Sequence, residues 1–287
     1  MISNCEYITF IELAQKLCKK TPRYSSKFSK KTYDNHQKMI ILLLKQKTGL
    51  SYDLLIDDLK TRTVILEMLE LTKVPDPSTI KKFAKRIGFK ILDWFLKSCI
   101  KLAGKKKAKT AVDATGFKIQ DGSYHYRKRL GIPTTVKKHI KASAIVDTGS
   151  QLVLAAKFRK NQRHDIVDFR PLVKKANEIT KILIVTADKG YDSEEVRKFV
   201  IEEIGAECQI KIKGELGVHP GFYRKRFILA EVKYHQRSII ETAFSVIKRV
   251  FGEIIYAKDW LMQKKELLLR CITYNLYRLA KIMRNSR

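Results

Sequence analysis

Acidic residues are scarce in this chain. Its 287 residues include 29 Asp and Glu against 59 Lys and Arg, a formal net charge of +30. So large an excess argues against an ordinary enzyme of small metabolites. It points to a polyanion, either nucleic acid or an anionic membrane surface, with a merely solvated lysine surface as the plain alternative. Long apolar runs are also missing. The longest uninterrupted one is Met39 to Leu44, far short of the roughly 20 residues that span a bilayer, so no membrane partner is expected. The segment Met1-Ile2-Ser3-Asn4-Cys5-Glu6 has no basic stretch followed by an apolar one, so no secretory signal is visible. The five cysteines (Cys5, Cys18, Cys99, Cys208, Cys271) are scattered, with no C-x-x-C pair and no Cys/His group at zinc spacing. Reduced thiols in a cytoplasmic setting are the expectation. Internal repeats are absent, and low complexity is limited to short lysine runs. What is abundant is core material: 45% of residues are hydrophobic, which excludes wholesale disorder.

The first hundred residues read as helical. Phe10 to Leu17 has helical spacing, Tyr33 to Lys47 is closed by Gly49 as C-cap, and Ser51 is placed to cap Tyr52 to Leu59. After Val74-Pro75-Asp76-Pro77, a helix capped by Ser78 carries Lys81, Lys82, Lys85 and Arg86 on its exposed face. A short basic helix after a tight turn suits a helix-turn-helix element that enters a major groove, although many surface helices are lysine-rich. Residues 1–104 are therefore expected to form an all-helical, DNA-binding N-terminal domain and residues 105–287 a second domain.

Beyond Lys109 the pattern changes. Thr110 to Asp113 reads as a short strand. Ile140 to Val146 and Leu152 to Phe158 alternate and are joined by Asp147-Thr148-Gly149-Ser150, a hairpin. Val167 to Ile179 is an amphipathic helix, Lys181 to Asp188 a buried strand, Ser193 to Ile204 a helix and Cys208 to Lys213 a strand. Helices over about Val232 to Phe251 and Lys264 to Met283 close the chain. A mixed sheet flanked by helices is α/β. The order is that of the ribonuclease H-like fold, though order alone also fits other α/β layouts.

Two of these strands end in an acid and a turn: Val112-Asp113-Ala114-Thr115-Gly116 and Thr186-Ala187-Asp188-Lys189-Gly190. Sites in open α/β sheets gather at the carboxyl ends of strands, and two such carboxylates suit Mg²⁺, which takes oxygen ligands. The plain alternative is an Asx-turn or a helix cap. For Asp188 the cap is not needed, because Asp192 or Ser193 serves the next helix, with Glu195 at capping-box spacing from Asp192. Asp121 and Asp147 sit in turn-like sequence and read as structural. On the helix over Val232 to Phe251, Arg237, Glu241 and Lys248 fall within about 60° of Tyr234 at 100° per residue. They form one polar stripe opposite Ile240, Ala243, Phe244 and Ile247.

The spacing Tyr234, two residues, Arg237, three residues, Glu241, six residues, Lys248 resembles the Y-(2)-R-(3)-E-(6)-K signature of DDE transposases from bacterial and archaeal insertion sequences, families four and five. Ala187-Asp188-Lys189-Gly190-Tyr191-Asp192-Ser193 resembles their second-aspartate segment and Val112-Asp113-Ala114-Thr115 their first. Asp188 and Glu241 are 53 positions apart, so the chain resembles the compact type without a large insertion before the glutamate.

The resemblance implies a ribonuclease H-like catalytic domain that binds terminal inverted repeats and carries out metal-dependent strand cleavage and strand transfer. Asp113, Asp188 and Glu241 would be catalytic and bind Mg²⁺, with Mn²⁺ able to substitute. Arg237 and Lys248 would contact phosphates, with Tyr234 beside them. It also implies a homodimer on double-stranded DNA, in the cytoplasm and nucleoid-associated when bound. Without the family, the stretch from Lys118 to Lys141, with Arg127, Lys128, Arg129, Lys137 and Lys138 interleaved with Tyr124, His125 and Tyr126, already suits a DNA backbone; the plain alternative is a solvated basic hairpin. His164-Asp165 resembles another family segment, although an aspartate at a helix start is more often a cap. Two other readings remain open: a DNA-binding derivative that no longer cuts, and a metal-dependent nuclease of the same fold that does not join strands.

Overall fold

The structure is a computed structural model, and it describes residues 5–120, 128–129, 131, 139–160, 163–214 and 221–285. The chain forms two compact units. One comprises residues 1–99, 250–252 and 259–287, the other residues 100–249 and 253–258. The last helix, which the sequence pattern groups with residues 105–287, thus belongs to the helical unit. Among the described residues no helix is long and apolar enough to cross a membrane.

In the helical unit, α1 (Glu6–Cys18), α2 (Asn35–Thr48), α3 (Tyr52–Lys60), α4 (Thr63–Met68), α5 (Pro77–Arg86) and most of α6 (Phe89–Leu102) lead to the sheet unit. The C-terminal helix Trp260–Asn285 packs on α1, α2 and α5. Its centre, from Leu267 to Leu276, is buried almost all round, so it is the axis of this core. Helix ends follow local chemistry. Asp34 and Gln37 form a capping box on α2, and Gly49, at φ +70°, closes it in the left-handed region where glycine carries no Cβ penalty. The cap of α5 is Asp76, not Ser78. Pro77 takes the first helical position, where its missing N–H costs nothing, so the cap lies two residues before Ser78. Residues 69–76 separate α4 from α5, longer than the three- or four-residue turn of a helix-turn-helix.

The sheet unit runs β1 (Lys107–Ile119), β2 (His139–Asp147), β3 (Val153–Arg159), α7 (Ile166–Asn177), β4 (Lys181–Ala187), α8 (Glu194–Lys198, continued by a π-turn over Phe199–Glu203), β5 (Glu207–Ile210), α9 (Phe222–Lys225), α10 (Glu231–His235), α11 (Ser238–Phe251) and β6 (Ile254–Ile255). The strand order is β3-β2-β1-β4-β5. The hairpin pairs are antiparallel, and β4 and β5 join in parallel through helical crossovers. This is a ribonuclease H-like mixed sheet. Thr110 Oγ1 donates to the Ile184 carbonyl at 2.9 Å and Thr186 Oγ1 to that of Thr110 at 3.0 Å, so two buried hydroxyls fasten β1 to β4.

Three elements differ from the pattern-based expectation. β1 is far longer than Thr110 to Asp113, and its far end recruits β6 through Lys118 and Ile254. β5 stops at Ile210, because its carbonyl accepts from Arg197 at 2.6 Å and the Lys213 N–H turns to Asp192 at 2.9 Å, which replaces the ladder. The helix expected over Val232 to Phe251 breaks at Gln236 and Arg237. The N–H of Arg237 bonds back three residues to Tyr234 at 2.9 Å, and the Gln236 side chain is held by Thr148 Oγ1 at 3.0 Å.

Candidate active site and nucleic-acid interface

The site begins with strand register. The last pair of the parallel β1–β4 ladder is Val112 with Ala187. The next residue on each chain is an aspartate, Asp113 and Asp188, at the carboxyl ends of neighbouring strands spaced about 4.8 Å. Each commits one carboxylate oxygen to the following backbone: Asp113 Oδ1 accepts from the Ala114 N–H at 2.8 Å and Asp188 Oδ1 from the Lys189 N–H at 2.8 Å. The cap of α8 is Ser193, which accepts from the Val196 N–H at 3.1 Å. Asp192 instead lies buried, accepting from Arg197 Nε at 2.9 Å and Arg224 Nη2 at 2.8 Å.

β4 ends at Ala187, whereas β1 continues to Ile119. Between Asp113 and Phe117, no described strand pairs with that edge of β1. A cavity of about 480 Å³ opens there, lined by Asp113, Thr115, Glu241, Lys248 and Arg249 among others. The buried face of α11, with Ile240, Ala243, Phe244 and Ile247, leaves its polar face toward this opening. Lys248 Nζ donates to Thr115 Oγ1 at 2.8 Å and stands 5.4 Å from the centre of the Phe117 ring. Arg237, in the turn before α11, pairs with Glu241 at 2.8 Å.

The electrostatics tie these groups together. Burial pushes the Asp113 carboxyl above its ordinary value; the Ala114 N–H and Arg237 oppose this, and Glu241 and Asp165 add to it. Burial lowers and Glu241, Tyr234, Asp188 and Asp113 raise the Arg237 guanidinium, for a net rise. Burial is also the main cause of a raised Tyr191 phenol, with Asp165, Asp113, Asp168 and Asp188 contributing. The Tyr191 hydroxyl is buried and has no hydrogen-bond partner among the described residues.

Among the described residues, no group of three or more His, Cys, Asp or Glu side chains is gathered so as to hold a metal ion. Glu241 is held by Arg237. Mg²⁺, however, is usually bound through one or two carboxylates, with waters and substrate phosphates completing its shell. Asp113 and Asp188, each with one carboxylate oxygen left over, fit that requirement.

Other expected residues are placed as follows. Lys128 and Arg129 are exposed, whereas Arg127, Lys137 and Lys138, with Asp121, Tyr124, His125 and Tyr126, lie outside the described residues. Lys82, Lys85 and Arg86 are exposed on α5 opposite the buried Ile80, Phe83 and Ala84, and Lys81 pairs with Asp53 at 3.6 Å. Asp147 is structural, accepting from the Ser150 N–H at 2.8 Å and its hydroxyl at 2.6 Å. Asp165 makes no capping bond to α7; it pairs with Lys141 and, with His139, Arg163 and His164, lines a cavity of about 440 Å³ beside Thr115. Arg249 and Thr115 were not singled out by spacing, and the one available signal was the run of cations ending α11.

Residues 104–276 match the family model described as the transposase DDE domain. Among solved structures, the chain is similar to the piggyBac transposase in a synaptic complex with hairpin DNA, with a TM-score of 0.51 and 12% identity over 96% of this chain and 72% of that one. The Mos1 strand transfer complex aligns at a TM-score of 0.31 and 10% identity over 93% of this chain and 81% of that one. No curated protein sequence matches.

Proposed function

The chain belongs to the transposase DDE-domain family, and from that premise we propose that it is an insertion-sequence transposase of the Y-R-E-K type, which binds terminal inverted repeats and cuts and joins DNA strands at the cleft beside Asp113. The observation that carries this reading is the register that makes Asp113 and Asp188 neighbours, next to a cavity that also takes in Glu241 and Lys248.

Asp113 and Asp188 would hold Mg²⁺ or Mn²⁺, with Glu241 joining them once its pair with Arg237 is exchanged. Bound there, the metal supplies a lowered pKa for the attacking water or 3′-hydroxyl and neutralises charge on the leaving oxygen. The protein's own share is positioning. Lys248, anchored on Thr115, presents a fixed point charge to a phosphate entering the cleft, and Arg249 a second cation. Arg237 is in electrostatic reach of Glu241 and of both aspartates, and its planar fork suits a phosphate next to the scissile one.

In the same reading Lys82, Lys85 and Arg86, with Arg127, Lys128, Arg129, Lys137 and Lys138, contact backbone phosphates, and the active assembly is a homodimer on DNA in the cytoplasm. The net charge of +30 supports a polyanionic partner. The test is a strand-transfer assay with Mg²⁺ and labelled element ends. Joined products support transposition. Hydrolysis alone identifies a nuclease, and binding without turnover a silent derivative.

A further inference from the structure

We infer that the helical unit carries a phosphate-binding site of its own, a cavity of about 400 Å³ in which Lys38 of α2 and Arg86 of α5 clamp one backbone phosphate of duplex DNA. The inference rests on the DNA-binding reading above and deepens it at Arg86, with Lys38 as its partner on the same phosphate.

Helical geometry brings the donors together. Asn35 and Lys38 lie one turn apart on α2, and Thr79 and Arg86 lie two turns apart on α5, so each helix turns one polar face to the cavity. Ile40 on α2 and Ile80 on α5, turned away from these faces, are buried. The connection between α1 and α2 closes the cavity with hydroxyls, including Ser25 and Thr32, and with Lys30. No Asp or Glu lines it.

Lys38 and Arg86 have no ion pair among the described residues. The acid nearest in sequence, Asp34, spends its carboxylate on the Gln37 N–H at 2.8 Å and on Arg23 at 3.8 Å. Lys38 Nζ stands 5.4 Å from the centre of the Phe83 ring. Burial lowers the Lys38 ammonium, and the Arg86 charge lowers it further against the pull of Asp34. The half-buried Lys38 and the exposed Arg86 repel one another, and an anion between them turns that repulsion into two charge-assisted hydrogen bonds. Cations interleaved with hydroxyl donors match the oxygens of a phosphate. The exposed Lys82 and Lys85 on the same helix extend the positive surface beyond the cavity, which suits a continuous backbone better than a lone ion.

The test uses the full chain and a fluorescent duplex, with affinity followed against salt. Lys38→Gln, Arg86→Gln and the double variant are compared with Lys16→Gln/Lys19→Gln, an equal loss of charge at two exposed positions at the C-terminal end of α1. Each single variant is expected to weaken binding about tenfold. The double variant is expected to lower the salt slope by about 0.9, the value for one phosphate rather than two, and to fall short of the sum of the singles, because both cations hold the same group. Circular dichroism and melting monitor folding; Arg86 is exposed, so Arg86→Gln decides alone if Lys38→Gln does not fold. A double variant indistinguishable from the control pair overturns the site. So does line broadening of inorganic phosphate by the wild type, lost in the double variant, with duplex affinity unchanged, because the cavity would then serve a free anion. A wild type that binds duplex through this cavity but neither cuts nor joins element ends overturns the transposition reading alone.

Discussion

Val112 faces Ala187 in the last rung of the parallel ladder between β1 and β4, and from that rung both chains step onto an aspartate. Asp188→Asn keeps the hydrogen bond to the Lys189 N–H and removes only the charge. Cleavage of labelled element ends is expected to fall below detection while duplex affinity stays within about twofold, since phosphate contacts come from cations elsewhere. Cleavage at the wild-type rate would remove Asp188 from the site.

Glu241 offers a cleaner separation of chemistry from folding. Its side chain is 53% exposed and its pair with Arg237 lies near the surface. Glu241→Gln is expected to change stability by no more than about 0.5 kcal/mol and to abolish cleavage. Urea melts and a cleavage assay on the same preparation check both halves, and intact cleavage sinks the assignment.

Lys248 is fixed on Thr115 and reaches the cleft from α11. Lys248→Ala should weaken duplex binding and reduce the salt slope by about one unit for one lost phosphate contact. The measurement is a salt titration of affinity; an unaltered slope removes Lys248 from the DNA interface.

Asp192 governs acid stability. Burial would raise its carboxyl, but the Lys213 N–H, Arg224 and Arg197 outweigh this and hold it below the usual value. A depressed acid stabilises fully above the unfolded value of about 3.9 and loses that contribution as pH falls through the folded value. Asp192→Asn should therefore cost on the order of 3 kcal/mol at neutral pH by leaving Arg197 buried without its partner, a cost that begins to fall only below about pH 3.9 and is lost as pH drops through the depressed folded value. Denaturant melts at pH 7 and at a series of pH values falling from about 4 check the sign; a cost that does not decline along that acid series would refute it.

Much of the site was legible along the chain because its signals are local. An acid at the end of a β-rich run, followed by a turn, marks a strand terminus, and the Tyr234, Arg237, Glu241 and Lys248 spacing marks one polar stripe. The stripe survives from Glu241 to Lys248, two turns of α11, but its continuation to Tyr234 crosses the break at Gln236, where bonds to the third residue back replace helical ones. That break depends on Thr148 holding Gln236 across 88 positions, which no periodicity records. The pairing of Asp165 is hidden along the chain for the same reason: its partner Lys141 lies on β2.

Composition and pattern by themselves determined the excess of positive charge, the change from helical to mixed sheet structure, and which acids are candidates, since charge balance, periodicity and motif spacing are properties of the linear chain. Only the tertiary structure decided which carboxylates are neighbours, that β1 outruns β4 to open a cleft, and that Lys38 and Arg86 share one cavity. Register and packing bring together residues far apart in sequence through side-chain burial, and burial is decided by the whole core at once.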